Sequence, residues 1–401
     1  MLSSLTILLF STSVLAIPHR RIEVTYPSLE TSRSGIKIMK LRVFDQDIAL
    51  NLEPAGDVIS DDFAIMDEQG EIEPVDVKSF KGKLFRDQKK GASLHIDEDG
   101  FIEIDGIINS KLRIEPSESQ NVGKYGMKEH VIFETFDEKK HFRDIVYNLN
   151  LQRSFSKNKA MNLSKDQCVE IEYVFLADKK FRDEYRNLDV FKKNIGSIVI
   201  QVQNLLDTLN LNIKIKTLAI LIFVVDPPFL KDSLIPCEEM FNVAVILPNF
   251  GKYICEKKET GVIAEADIIL FLSRREIGYM DEDGEIYKDI LGASHLGGAC
   301  QECKKVGFIL WEDDMHYTAV TVAHESAHLI GSPHDSEGGV AQSYPGSPGS
   351  EDCPLEDGFI LGDNEGENED KFSTCTIKNV KYFLSQNEAS CLITNCKNRV
   401  L

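Results

Sequence analysis

The stretch HESAHLIGSPHD, residues 324–335, decides the fold and the chemistry expected of this chain. His324 and His328 are one helical turn apart, so they lie on one face of a helix with Glu325 beside them. A glycine then ends the helix and the chain reverses to bring in His334. Three imidazoles of this kind bind zinc and leave its fourth position to water. Glu325 is the residue expected to take a proton from that water.

The residues around the motif support this reading. Gly331 would take the left-handed conformation that ends a helix and permits a sharp reversal. Asp335, directly after the third histidine, either orients a ligand and ties the turn to the helix or is a solvated turn residue. The acids Asp313 and Asp314 precede the helix, where they favour its N-terminus.

The composition indicates a secreted protein. Residues 1–16, MLSSLTILLFSTSVLA, are too short to span a membrane and are typical of a secretory signal peptide. No later run reaches the length of a membrane span. All nine cysteines lie from Cys168 onward, which fits an extracellular, disulfide-bonded second half. The net charge of −20 argues against nucleic acid and anionic membrane as partners.

The chain divides into a β-rich part, 17–165, and an α/β part, 166–401. The first part shows short alternating runs, contains no cysteine, and shows no cluster of metal-binding residues. The polar segment 154–167 is the best boundary. In the second part the apolar spacing predicts a mixed twisted sheet with long helices. Its predicted strands are 169–178, 213–225, 266–273, 289–296 (an edge strand) and 307–313, and its predicted helices are 188–209, 317–330 and 376–386.

A series of short motifs carries a family resemblance. Beside the histidine motif the chain contains GASHLGGAC (292–300), GFILWEDD (307–314), CPLEDGFIL (353–361) and KFSTC (371–375). The series resembles the reprolysins, the adamalysin branch of the metzincin metalloproteases, and most of all the secreted reprolysin-like proteases of tick salivary glands. The resemblance covers about 168–400, and the β-rich part is similar to the family's propeptide.

This resemblance implies an α/β metzincin-type zinc protease domain preceded by a β-rich propeptide. It implies a secreted zinc endopeptidase, made as a zymogen, that cleaves extracellular proteins such as host plasma or matrix proteins. His324, His328 and His334 would be the zinc ligands and Glu325 the catalytic base. The protein substrate would add an extended strand along the edge strand. The residues expected to contact the substrate there are Gly292, Ala293 and Leu296.

The chain departs from the family at two places. The methionine of the turn below the zinc is replaced by Leu361, which has similar volume and apolarity and should still pack. The propeptide cysteine that silences many reprolysin precursors is absent. Latency would then come from steric cover, with the propeptide as an intramolecular inhibitor. Cys168 is a candidate substitute thiolate, although a disulfide or spare thiol fits its position better. These departures give some weight to one alternative, a secreted binding protein of the same fold with weak or lost proteolysis. The intact histidines and Glu325 weigh against it.

The resemblance also suggests disulfides and a second metal. By family position Cys300 would pair with Cys391, and Cys353 with Cys375. Pairing of Cys237 with Cys255 is a guess from proximity, and Cys303 with Cys396 stays open.

Two carboxylates, Glu172 and Asp267, match positions where some relatives hold calcium. Calcium needs six or more oxygen ligands, and charges on the surface of two strands explain these carboxylates equally well.

Overall fold

The computed structural model describes residues 21–67, 70–135, 143–148, 167–185, 187–281, 283–336 and 346–395. The expected signal peptide and the expected boundary segment, apart from Gln167, lie outside these residues. None of the described helices is long and apolar enough to cross a membrane.

The prediction of a β-rich N-terminal part is confirmed. Along one strand, Met39, Leu41 and Val43 are buried and alternate with exposed residues, the period expected of a sheet with one covered face. The elements of this part are β1 (Ile22–Thr25), β2 (Ser28–Thr31), β3 (Lys37–Val43), β4 (Gln46–Pro54), β5 (Ile59–Asp67), β6 (Gly70–Glu73), α1 (Val77–Gly82), β7 (Leu84–Asp87), β8 (Ala92–Asp97), β9 (Glu103–Asn109), β10 (Leu112–Pro116), β11 (His130–Glu134) and β12 (Asp144–Tyr147).

Nine of these strands form one sheet in the order β1-β11-β10-β9-β8-β7-β4-β3-β2, with antiparallel neighbours. The remaining three, β5, β6 and β12, leave this sheet and join the second half of the chain.

The second half is α/β, as predicted. Its elements are β13 (Gln167–Ala177), α2 (Lys179–Glu184), α3 (Leu188–Asp207), β14 (Ile213–Ile222), α4 (Pro228–Lys231), β15 (Phe241–Asn242), α5 (Val243–Glu256), α6 (Gly261–Glu265), β16 (Ile268–Ser273), β17 (Ile277–Met280), β18 (Ile286–Ile290), β19 (Gly292–His295), β20 (Val306–Leu310), α7 (Met315–Leu329), α8 (Thr374–Leu384) and β21 (Ile393–Asn395).

The large sheet of this half is mixed and contains strands from both halves. Its order is β12-β19-β20-β16-β13-β14-β5-β6, with β21 beside β13. Strand β5 pairs in parallel with β14, and β12 pairs in parallel with β19. The N-terminal part therefore extends the second sheet at both of its ends.

Helix α3 packs between the two halves. Asn187 caps it by accepting the backbone N–H groups of Asp189 and Val190. The helix is buried on nearly all sides from Ile195 to Leu206 because both sheets cover it. A Cβ placed on Gly196 would lie 2.9 Å from a methyl of Leu84. The two halves thus share one apolar core.

One predicted strand is divided. The sequence predicts a single edge strand over 289–296, but the chain breaks at Leu291 into β18 and β19, and Asp289, near the end of β18, has a φ of 68°. Strand β18 belongs to a small sheet, β15-β17-β18. Strand β19 is flanked by β12 and β20, so it is not an edge in this structure.

Candidate metal centre and active site

Helix α7 carries the first two histidines. Its N-terminus is capped by Asp314, whose carboxylate accepts the backbone N–H groups of His316 and Tyr317. Past its end Gly331 has a φ of 93°, as predicted, and a Cβ there would lie 2.6 Å from Phe383. The reversal brings His334 back to the helix.

Backbone carbonyls orient two of the three imidazoles. The Nδ1 of His324 lies 2.8 Å from the carbonyl oxygen of Ile360, and the Nδ1 of His328 lies 2.7 Å from that of Ser332. Each Nδ1 therefore carries the proton and donates it, which leaves the Nε2 lone pair free for a metal.

The three Nε2 atoms converge on one point. The Nε2 of His324 is 3.0 Å from that of His328 and 3.3 Å from that of His334. Nitrogen lone pairs that face one another in this way suit a cation placed between them. Tetrahedral zinc with Zn–N bonds of about 2.0–2.1 Å separates its ligands by about 3.3–3.4 Å. The three histidines therefore fit zinc.

A fourth residue completes this cluster, and it comes from the N-terminal part. Asp144, the first residue of β12, is buried with its carboxylate 2.8 Å from the Nε2 of His334, 3.3 Å from that of His328 and 3.5 Å from that of His324. Burial works to raise the pKa of Asp144, but the neighbouring imidazoles outweigh it and hold the pKa well below the ordinary value. These four residues form a candidate metal-binding group.

No sequence motif marks Asp144, and the sequence predicts no metal cluster in the N-terminal part. The cluster forms only across the two halves, because β12 pairs with β19. The one local signal was the strand-forming run Ile145-Val146-Tyr147 directly after an acid.

Glu325 is fully buried beside the histidines. A Cβ added to Gly292 of β19 would lie 2.2 Å from the Oε1 of Glu325, so the carboxylate packs directly on the glycine. Burial, followed by the charge of Asp144, raises the pKa of Glu325 well above its ordinary value, while Ser294 acts in the opposite direction. A carboxylate with a raised proton affinity in this place can act as a general base and acid.

The residues expected to bind substrate contact the N-terminal part instead. Gly292 lies opposite Asp144 and Ala293 opposite Ile145, and the N–H of Leu296 donates to the carbonyl of Tyr147 at 3.0 Å. The place predicted for a substrate strand is thus filled by β12.

The turn below the histidines packs as predicted with leucine. Leu361 is fully buried, and its carbonyl accepts the backbone N–H of Asp335 at 2.8 Å. The carboxylate of Asp335 accepts the hydroxyl of Ser373, the N-cap of α8, at 2.6 Å. Burial raises the pKa of Asp335 to about 6. Asp335 therefore ties the turn to α8 and is not a solvated residue.

A buried ion pair joins the N-terminal part to the start of α7. Arg113 of β10 is 2% exposed and pairs with Asp314, the N-cap of that helix. The N-terminal part therefore contacts the zinc-binding helix both at its start and at the histidines.

Two predicted disulfides are present and one is wrong. The structure contains Cys300–Cys391 and Cys353–Cys375. Cys255 pairs with Cys303, not with Cys237, which is a free, exposed thiol. The reason is the packing of α5, since a Cβ on Gly251 would lie 2.7 Å from the carbonyl oxygen of Cys303.

Cys168, the other candidate metal ligand, is disulfide-bonded. It therefore offers no thiolate to the histidine cluster.

The structure does not support calcium at Glu172 and Asp267. The two residues are adjacent, but the Asp267 carboxylate accepts the backbone N–H of Glu172 at 2.9 Å. Within the described ranges, Asp267 clusters otherwise with Cys300 and Cys391, which are bonded to each other. Burial raises the pKa of Asp267 to about 7.

Comparison with known proteins identifies the family. A reprolysin model of metallo-peptidase family M12 matches residues 169–373. The venom metalloproteinase antarease of Tityus serrulatus is 38% identical over 99% of both chains. A venom metalloproteinase of Olivierus martensii is 36% identical over 98% of both chains. Neither is described as a tick protein, so the resemblance to tick salivary proteases stays a prediction.

Among solved structures, metalloproteinase-II from Bacteroides fragilis aligns with a TM-score of 0.37 and 11% identity, over 73% of this chain and 80% of that one, which is too distant to assign a function. The family match and the full-length relatives are sufficient. The chain belongs to metallo-peptidase family M12 and is a zinc metalloendopeptidase of the reprolysin type.

Proposed function

We propose that this protein is a secreted endopeptidase, made as a zymogen, that cleaves extracellular proteins of another animal, such as plasma or matrix proteins. The observation that carries the proposal is the convergence of three Nε2 atoms beside the buried Glu325. Secretion and an animal target are supported by the full-length relatives, which are named as venom enzymes.

The proposed organisation is a signal peptide at 1–16, a propeptide at 17–165 and a catalytic part at 166–401. The propeptide would act as an intramolecular inhibitor, because β12 fills the place along β19 where a substrate strand is expected. Once β12 leaves, the N–H and C=O groups of β19 that now face it become free to pair with an extended peptide.

The roles of the residues follow from their positions. His324, His328 and His334 would hold zinc, which when bound acidifies water and polarises the scissile carbonyl. Glu325 accepts the proton of the attacking water and delivers it to the leaving amine. Gly292, Ala293 and Leu296 would align the substrate backbone. Calcium forms no part of the proposal, because the Asp267 carboxylate accepts the backbone N–H of Glu172.

The test compares the secreted, processed protein with two variants on gelatin and fibrinogen, with zinc content measured on each. We expect Glu325→Ala to keep zinc and fold and to lose roughly 10³-fold or more in rate, because acid–base catalysis and water activation both depend on it. Glu259→Ala changes an exposed glutamate and should cleave normally. Near wild-type activity in Glu325→Ala, or cleavage that survives phenanthroline, would refute the proposal.

A further inference from the structure

Strand β12 is fixed at both ends on the strand beside it. The carbonyl of Arg143 accepts the N–H of Leu291 at 2.8 Å, and the carbonyl of Tyr147 accepts the N–H of Leu296 at 3.0 Å. These two bonds lie on either side of Asp144. The aspartate therefore cannot slide along β19 without breaking backbone hydrogen bonds.

The alternation of side chains along β12 points Asp144 at the histidines. Ile145 and Tyr147 pack into the apolar cluster around Phe241 and Phe308, and Val146 packs into the other core, which includes residues of α7. Because successive side chains of a strand point to opposite faces, Asp144 shares the face of Val146. Asp144 is thus the one polar side chain of β12 on the face that packs toward α7.

The geometry of the site fits a fourth ligand. The side chains of Asp144 and Glu325 are 4% and 0% exposed. The Nδ1 atoms of His324 and His328 face backbone carbonyls, so the Nε2 atoms of both rings are turned toward Asp144. The distances from Asp144 to the three Nε2 atoms, 2.8–3.5 Å, bracket the separation of about 3.3 Å between ligands of one tetrahedral zinc.

We propose that the Asp144 carboxylate is the fourth zinc ligand of the intact chain and that this bond keeps the zymogen inactive. The inference rests on the proposed zinc-protease zymogen and names the group through which its propeptide acts. With four protein ligands the site is closed, as in structural zinc sites. Water then has no position from which Glu325 can take a proton. Asp144 thereby blocks the zinc, as the propeptide cysteine that this chain lacks does in many reprolysin precursors.

The experiment replaces zinc by cobalt(II) in the full-length chain, whose visible spectrum reports the ligands. All proteins carry Glu325→Ala so that they cannot process themselves. Asp144→Asn removes the carboxylate at constant size, and Asp144→Cys offers a thiolate, which gives cobalt an intense near-ultraviolet charge-transfer band. Asp45→Asn and Asp45→Cys are matched controls, since the Asp45 side chain is fully exposed.

We expect a charge-transfer band in Asp144→Cys and none in Asp45→Cys. Asp144→Asn should shift the visible bands and release cobalt to a chelator roughly 10–100-fold faster than Asp45→Asn. Loss of a residue that only hydrogen-bonds to a metal ligand already has an effect of this size, so loss of a ligand should have at least as large an effect. Circular dichroism checks that each variant is folded. Two substitutions of Asp144 are used so that, if one variant misfolds, the other still tests the Asp144–metal bond.

Two failures are distinguishable. If cobalt binds to every protein but Asp144→Cys lacks the band and Asp144→Asn matches its control, the Asp144 bond is refuted and the protease proposal stands. If the parent binds no cobalt, with a spectrum identical to that of His328→Ala, the zinc site itself is refuted and both proposals fall.

Discussion

Gly292 packs against Glu325, the proposed catalytic base, and Gly292→Ala is the sharpest test of that arrangement. The added Cβ would lie 2.2 Å from the Oε1 and 2.8 Å from the Cδ of Glu325. Gly292 does not have a left-handed φ, so alanine can adopt its backbone conformation and the effect is purely one of space.

The expected loss of rate follows from how far the added Cβ would displace the Glu325 carboxylate. Ordinary contact begins at 3.4 Å, so the Glu325 carboxylate must move by roughly 1 Å. A misplacement of about that size costs on the order of 10²-fold in rate, or about 2.7 kcal/mol. The loss should not exceed about 10⁴-fold, the most that general acid–base catalysis typically contributes. Crowding in the core should also cost about 1–3 kcal/mol of stability.

The assay is kcat/KM of the processed enzyme on a peptide substrate, with zinc content and circular dichroism on the same samples. Glu259→Ala is the control, because it changes an exposed residue of the proposed catalytic part. Gly292→Ala combined with Glu325→Ala should show the same residual rate as Glu325→Ala alone, since both act on one group. A folded, zinc-loaded Gly292→Ala enzyme within twofold of wild type would refute the reasoning.

Two further predictions concern the N-terminal part, both measured by urea unfolding of the full chain carrying Glu325→Ala. Arg113→Met removes the ion-pair partner of Asp314 and should cost about 1–2 kcal/mol, because Asp314 is 22% exposed and keeps its bonds to the helix N–H groups; Arg42→Met, at a side chain 63% exposed, should show no comparable loss. Equal effects would contradict a role for the Arg113–Asp314 pair. Burial lowers the pKa of His130 from 6.5 to about 4, so the unfolded chain takes up a proton below about pH 6.5 while the folded chain resists until about pH 4. Stability should therefore fall by up to about 3 kcal/mol across that window, and His130→Gln should reduce the fall; an unchanged slope would count against this histidine.

Local patterns were sufficient to predict how the histidine motif is arranged in space. His324, Glu325 and His328 lie on one helix at fixed spacing, and Gly331 and His334 follow within one turn, so no distant contact is needed to place them. The apolar periodicity of α3 and of the core strands was equally informative, because burial on one face imposes that period. Helix α5 was not predicted, since its apolar run contains Pro248 and resembles a strand and a loop.

What the sequence did not reveal depends on pairing between distant segments. Asp144 has no motif around it, and its meaning comes from β12 lying beside β19. The pairing of β5 with β14 and the disulfide between Cys255 and Cys303 also join segments that are far apart in the sequence. In each case the partner is chosen by the packing of helices and sheets, which no local spacing records.

The placement of β5 has a consequence for how long maturation takes. Its bonds to β14 run from Thr217 to Leu221, within the sheet that also carries the active site, and its side chains Phe63 and Ile65 belong to the common core. Cutting one peptide bond in the linker leaves all of these contacts in place. The cleaved propeptide would then dissociate only slowly, like a tightly bound subunit. Its dissociation would leave β14 as an exposed edge strand that could pair with other strands. The proposed zymogen would therefore be activated at a rate set by two steps, cleavage by the processing protease and release of β5 from β14.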